Sequence, residues 1–338
     1  MNATPHAKAD LMRLGTAYFK SKVLLSAVEL GLFTHLAASP ATEPELRDAL
    51  GLHPRASRDF LDSLVALGLL TRTDGRYHNA PAADAYLDTG KPAYVGGFLT
   101  MLNLQFAKWD RLTDLLRTGG ISYDVEDEKR QHDGMYADAK RIRRFMAAMD
   151  GINQLAGPAL AERFDWSEYG SVTDLGGARG NVAAELVKAH PHLSASVFDL
   201  PPVEEVFDEH MAALDLTGRV RFEAGDFFAG SLPASDVLIY GHVLHDWSPE
   251  LRTRLIRQAY AALPPGGALL VYDVMIDDER AVNDFSLLTS LHMMLVSPGG
   301  GEYTAAECRA EMTAAGFAET DAVPLTDLDT LVIGRKAR

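Results

Sequence analysis

The sequence predicts an α/β chain: a doubly wound sheet that ends in an antiparallel hairpin, preceded by a mainly helical domain of winged-helix pattern. Three observations predict it. From residue 171 onward, short apolar runs alternate with helical stretches, the rhythm of a parallel sheet covered by helices. In the tail, the runs 318–325 and 327–336 follow each other closely enough to form a hairpin. Near the N-terminus, two helical stretches precede two short strand-like pieces around Asp74-Gly75.

The chain has 338 residues. A single core rarely grows past about 250–300 residues, so we expect a division into 1–92, 93–165 and 166–338. In the first part, YFKSKVLLSAVELGLFTHLA carries apolar residues at helical spacing and ends near Ser39-Pro40. ATEPELRDALGL and PRASRDFLDSLVALGLL are the two helices, and TRTDGRYHNA supplies the strand pair. The middle part is helical around a charged stretch, SYDVEDEKRQHDG, expected as a solvated loop. In the last part, strands are expected in SVTDLGG, SASVFDLP, VRFEAGDFF, DVLIYGHVL and ALLVYDVMI. Helices are expected in NVAAELVKAHP, VEEVFDEHMAALDL and LRTRLIRQAYAAL, with one more, AAECRAEMTAAGF, ahead of the hairpin.

Composition narrows the function. The apolar fraction is 47% and the charged fraction 23%, values of a folded globular chain. A net charge of −15 repels phosphate backbones and anionic lipids, so neither nucleic acid nor membrane is an expected partner. The second helix of the winged pattern carries Arg58 beside Asp59 and Asp62, which is no recognition helix. The lone cysteine, Cys308, excludes an internal disulfide and fits a reducing compartment. No secretory signal and no membrane-spanning run is read, so a cytoplasmic location is expected.

The chemistry gathers where strands end. Asp174-Leu175-Gly176-Gly177-Ala178-Arg179-Gly180 stands at a strand-to-helix junction, where glycines allow a tight turn and close approach to a ligand. It lacks both G-x-G-x-x-G and the G-K-[ST] of a P-loop, which argues against a nicotinamide dehydrogenase and a nucleotide triphosphatase. The next strand ends at Asp199, followed by Leu200, and a carboxylate there suits two ribose hydroxyls. Asp226 ends the third strand and can accept from a purine amine, with Phe227 against the ring. These acids converge on one crevice at the carboxyl edge of the sheet.

DLGGARGN, FDLP, GDFF and HVLHDW, in this order and spacing, resemble the class I S-adenosylmethionine (SAM)-dependent methyltransferases, which have a Rossmann-like fold. More narrowly, the chain from about 15 to 335 is similar to small-molecule O-methyltransferases with an N-terminal winged-helix dimerisation domain. The resemblance implies SAM as cofactor, a homodimer and a small-molecule acceptor. It implies that Gly176 and Gly177 border the methionine part, Asp199 the ribose, and Asp226 and Phe227 the adenine, with Trp247 packing nearby and Asp174 and Leu200 also among the cofactor-binding residues. Arg179 departs from the small or acidic residue usual in that loop.

The same resemblance assigns His245 as the general base, with Asp273 and Glu302 orienting it. His245, Asp246 and His292 also resemble the metal site of α-keto-acid C-methyltransferases on this fold, which implies one divalent or ferric ion such as iron, and His242 offers a further imidazole that would suit zinc instead. If a helical turn starts at His242, it shares a face with His245. A metal chelated by a 2-oxo acid would stabilise its enolate for methylation at C3. That reaction, in specialised metabolism, is the favoured expectation. Metal-free O-methylation of a phenol or other hydroxyl by His245 is the alternative.

Overall fold

The structure, a computed structural model, describes residues 7–119, 136 and 139–338. The charged stretch 122–134 lies outside the described residues. Two compact units are present, Met1–Phe106 with Ala147–Gly151 and Ala107–Met146 with Ile152–Arg338.

In the first unit, helices Lys8–Gly15, Ala17–Glu29 and Leu32–Ala38 lead into the winged pattern. Thr42 caps the helix Glu43–Leu50 in a capping box with Glu45, and Gly51 ends it in a left-handed conformation. The second helix, Ser57–Ala66, buries Leu61 and Leu64. Strands β1 (Ala41–Thr42), β2 (Leu70–Thr73) and β3 (Arg76–Asn79) form a small antiparallel sheet in the order β1-β3-β2. Asp74 and Gly75 both take positive φ, 51° and 76°, as a two-residue hairpin turn requires. Ala27, Leu32, Phe33, Leu36, Leu46, Leu70 and Tyr77 complete the core. Asp62 takes ion pairs from Arg58 and Arg72, so these two basic groups are partnered by acid. Outside that core, Leu11, Met12, Leu14, Tyr18 and Phe19 stay more than half exposed.

The second unit holds a seven-stranded sheet in the order β6-β5-β4-β7-β8-β10-β9. Its members are β4 (Ser171–Leu175), β5 (Ser194–Asp199), β6 (Val220–Ala224), β7 (Val237–Gly241), β8 (Ala268–Asp273), β9 (Glu319–Pro324) and β10 (Thr330–Arg335). β4 to β8 pair in parallel, and β10 inserts antiparallel between β8 and β9. Every residue of β8 is buried, as a strand covered on both faces must be. The chain winds outward from β4 in one direction and from β7 in the other. β4 and β7 are neighbours, so the switch point, where such sheets bind ligands, opens between their carboxyl ends. Among the described residues, no single helix is long and apolar enough to cross a membrane.

Candidate active site

The loop after β4 is shaped by what a side chain would strike. At Gly176 (φ 73°) a Cβ would come within 2.9 Å of Val243, and at Gly177 within 2.6 Å of the Asp174 carboxyl carbon. The loop therefore lies flat over Asp174, a cradle that any other residue would fill. Burial, with the charge of Asp199 second, pushes the Asp174 carboxyl up to about 7.

Asp199, at the end of β5, is 6% exposed. Two backbone amides fix its carboxylate: Leu200 N–H donates to Oδ1 (2.7 Å) and Ala178 N–H to Oδ2 (2.9 Å). Asp226 lies just past β6, where its Oδ1 accepts from the Phe228 amide at 2.7 Å. Phe227, Phe228 and Trp247 pack edge to face, with Phe228 and Trp247 centroids 4.7 Å apart. The cofactor residues read from the sequence thus come together along adjacent strand ends, and the glycine cradle beside carboxylates fits a SAM molecule.

β7 stops at Gly241. His242 has φ 52°, so no helical turn starts there; a single 3-10 turn, Leu244–Asp246, follows and carries His245. His245 Nδ1–H donates to Glu302 Oε1 at 2.7 Å and lies 3.5 Å from Asp273 Oδ1. The Tyr303 hydroxyl donates to the other Asp273 oxygen in a short hydrogen bond. Both carboxyl side chains are fully buried and His245 is 12% exposed. Burial opposes charge on His245, but Glu302 and Asp273 outweigh it and raise its pKa well above the usual imidazole range. Burial, opposed by His245 and helped by Glu302, pushes Asp273 up to about 8.

The expected metal set gains no support. Asp246 turns to Ser297, whose hydroxyl donates to it at 3.0 Å. His292 Nδ1 accepts from the Trp109 indole at 3.2 Å, and the two rings stack. Neither joins a common ligand shell with His242 and His245. The cluster of histidine and acid donors that does form among the described residues is His242, His245 and Asp273. There the Nδ1 of His245 is committed to Glu302 and Asp273 Oδ2 to Tyr303, while Asp273 Oδ1 accepts no hydrogen bond from the described residues. The four residues expected to share an ion are thus not gathered on one point among the described residues, and no step is routed through an ion. Trp109, Tyr303 and Asp329 (which faces His242) were not read from the sequence. Tyr303 directly follows Glu302, but nothing local marks it as the holder of Asp273.

This sheet order and these strand-end acids define a Rossmann-like methyltransferase. The O-methyltransferase domain family matches residues 109–318, and the O-methyltransferase dimerisation domain matches 12–89. The chain belongs to this family of SAM-dependent methyltransferases. It is 49% identical to the tetracenomycin polyketide synthesis 8-O-methyl transferase TcmO of Streptomyces glaucescens, over 99% of this chain and 100% of that protein. It is 41% identical to the N,N-dimethyltransferase OxyT of Streptomyces rimosus, over 99% and 100%. Among solved structures, human N-acetylserotonin methyltransferase in complex with SAM superposes with a TM-score of 0.89 at 27% identity, covering 100% of both chains.

Proposed function

We propose that this chain transfers a methyl group from SAM to a phenolic hydroxyl of an aromatic polyketide, with His245 as general base. The observation that carries the reading is the His245–Glu302 pair backed by Asp273. The similarity to TcmO supports the acceptor class, and the family supports oxygen rather than the 2-oxo acid carbon favoured from sequence. The dimerisation domain and the exposed apolar side chains of the first two helices support a homodimer.

When bound, SAM supplies an electrophilic methyl on its sulfonium. The flat loop of Gly176 and Gly177 admits its methionine part. Asp199, held by its two amides, accepts from the ribose hydroxyls. Asp226 and Phe227 bind the adenine, and Trp247 braces Phe227 and Phe228. At the acceptor, Glu302 fixes the His245 tautomer by taking Nδ1–H, which leaves the Nε2 lone pair to remove the hydroxyl proton. Glu302 and Asp273 then stabilise the imidazolium, which strengthens the base against a weakly acidic phenol. The phenolate oxygen so produced would take the methyl group, the O–CH3 bond forming as the S–CH3 bond breaks and S-adenosylhomocysteine leaves, and the chain contributes positioning and charge rather than a covalent intermediate.

The test is a competition between 1,8-dihydroxyanthraquinone, an aromatic amine and a 2-oxo acid for labelled methyl from SAM. Transfer to the phenol with the highest kcat/KM is expected. Preferential transfer to the amine or to carbon overturns the reading.

A further inference from the structure

His242 and Asp329 have no part in the chemistry above, yet both are 6% exposed side chains within the same polar cluster. His242 occupies a left-handed backbone position, which costs a side-chain-bearing residue free energy and persists only where surroundings hold it. Its amide donates to Tyr272 O at 3.0 Å, tying the turn to the strand that carries Asp273. Its ring stands edge-on to Tyr272, with centroids 5.2 Å apart. Nε2 lies 3.4 Å from Asp329 Oδ1 and Nδ1 lies 3.9 Å from Asp273 Oδ1. Asp329 is itself fixed in the turn between β9 and β10, where the Thr326 hydroxyl donates to its Oδ2 at 2.8 Å.

We propose that His242, braced by Asp329, is a positioning residue that holds the Asp273 carboxylate in place and thereby keeps the His245 N–H on Glu302. Tyr303 pins one Asp273 oxygen, and the other lies between two imidazoles, 3.5 Å from His245 Nδ1 and 3.9 Å from His242 Nδ1. Without the His242 ring, that oxygen is free to shift and to compete with Glu302 for the same proton. The charged and titratable groups facing His242 are Asp273 from β8, Asp329 from the hairpin turn, and His245 and Asp246 from its own turn, with Tyr272 beneath. Burial drives its pKa down to about 4, so at neutral pH it acts by shape and dipole rather than as a cation. The inference rests on His245 as the base.

The test is the downfield proton resonance of His245 Nδ1–H in the full chain with S-adenosylhomocysteine, read in wild type, His245→Gln, His242→Phe, His242→Asn and Asp329→Asn. His245→Gln assigns the signal. His242→Phe keeps bulk without polarity and Asp329→Asn removes the brace, so both should shift or broaden it. His242→Asn suits the left-handed backbone and keeps hydrogen-bonding groups, so it should retain most of the signal. With 1,8-dihydroxyanthraquinone, kcat should fall roughly tenfold or more in His242→Phe and Asp329→Asn while SAM affinity stays unchanged. A wild type without the resonance would sink the His245–Glu302 pair itself. A resonance unchanged in both His242→Phe and Asp329→Asn would sink the inference alone.

Discussion

Replacing Glu302 by Gln tests the electrostatics of the base with almost no change in shape. The amide oxygen of Gln can still accept from His245 Nδ1 across the 2.7 Å contact, so orientation is kept and only the charge goes. At the effective dielectric of a protein site, two unit charges about 4 Å apart interact by about 4 kcal/mol. A hydrogen bond to a charged group contributes about 1.5–3 kcal/mol net. The lower range applies, because Asp273, 3.5 Å from the same nitrogen, takes over part of the stabilisation. At 1.36 kcal/mol per pKa unit, the His245 pKa should fall by about 1–2 units. The base works only when neutral, and its pKa is raised in the wild type. Activity therefore climbs as pH rises through that pKa, and Glu302→Gln moves the climb to lower pH. The plateau should drop roughly tenfold, because a weaker base drives proton removal less. Linkage gives a second sign. Unfolded His245 titrates near 6.5, so its contribution to stability is complete below that pH and fades as pH rises through the folded value. Glu302→Gln should cost more stability at about pH 6 than at about pH 9. The assay is kcat/KM for the phenol against pH, with thermal unfolding at both pH values. A pH profile unmoved by the substitution would refute the argument.

Asp199→Ala removes the acceptor fixed by the Ala178 and Leu200 amides, so SAM affinity by calorimetry should fall roughly ten- to a hundredfold, and unchanged affinity would remove the ribose assignment. Gly177→Ala drives a methyl group to within 2.6 Å of the Asp174 carboxyl carbon, so it should lower Tm and weaken SAM binding together. Leu14→Glu with Phe19→Glu places charge on side chains 68% and 55% exposed, and light scattering should report a monomer that still unfolds cooperatively. Treatment with a strong chelator, followed by dialysis, should leave the methylation rate unchanged, because proton removal by His245 needs no ion and Asp246 and His292 are not gathered with His242 and His245. A rate restored only by added zinc or iron would reinstate the metal set.

Much of the fold was legible because its signals are local. Asp74-Gly75 announces a hairpin turn, and the runs ending at Asp174, Asp199 and Asp273 announce parallel strands with acids at their carboxyl ends. Which histidines share a ligand shell was not legible, because that depends on partners far away in the chain. Trp109 reaches His292 across 183 positions, and Glu302 reaches His245 across 57. The left-handed backbone of His242 was also hidden, since the preceding Gly241 is the residue that pattern rules would place there. Gly241 is instead required by the Tyr272 ring, which a Cβ would meet at 2.1 Å. Spacing alone put His242 and His245 on one helical face. The structure brings their rings to 5.8 Å through a turn of another kind.

The central claim is methyl transfer to a phenolic oxygen with His245 as base, and the most direct measurement follows carbon-13 methyl from SAM into 1,8-dihydroxyanthraquinone by NMR, in wild type and His245→Ala. The account predicts a methoxy product in the wild type and a rate lowered roughly a hundredfold or more in the variant. A methyl on carbon or nitrogen, or a methoxy product formed at an equal rate without His245, would contradict it.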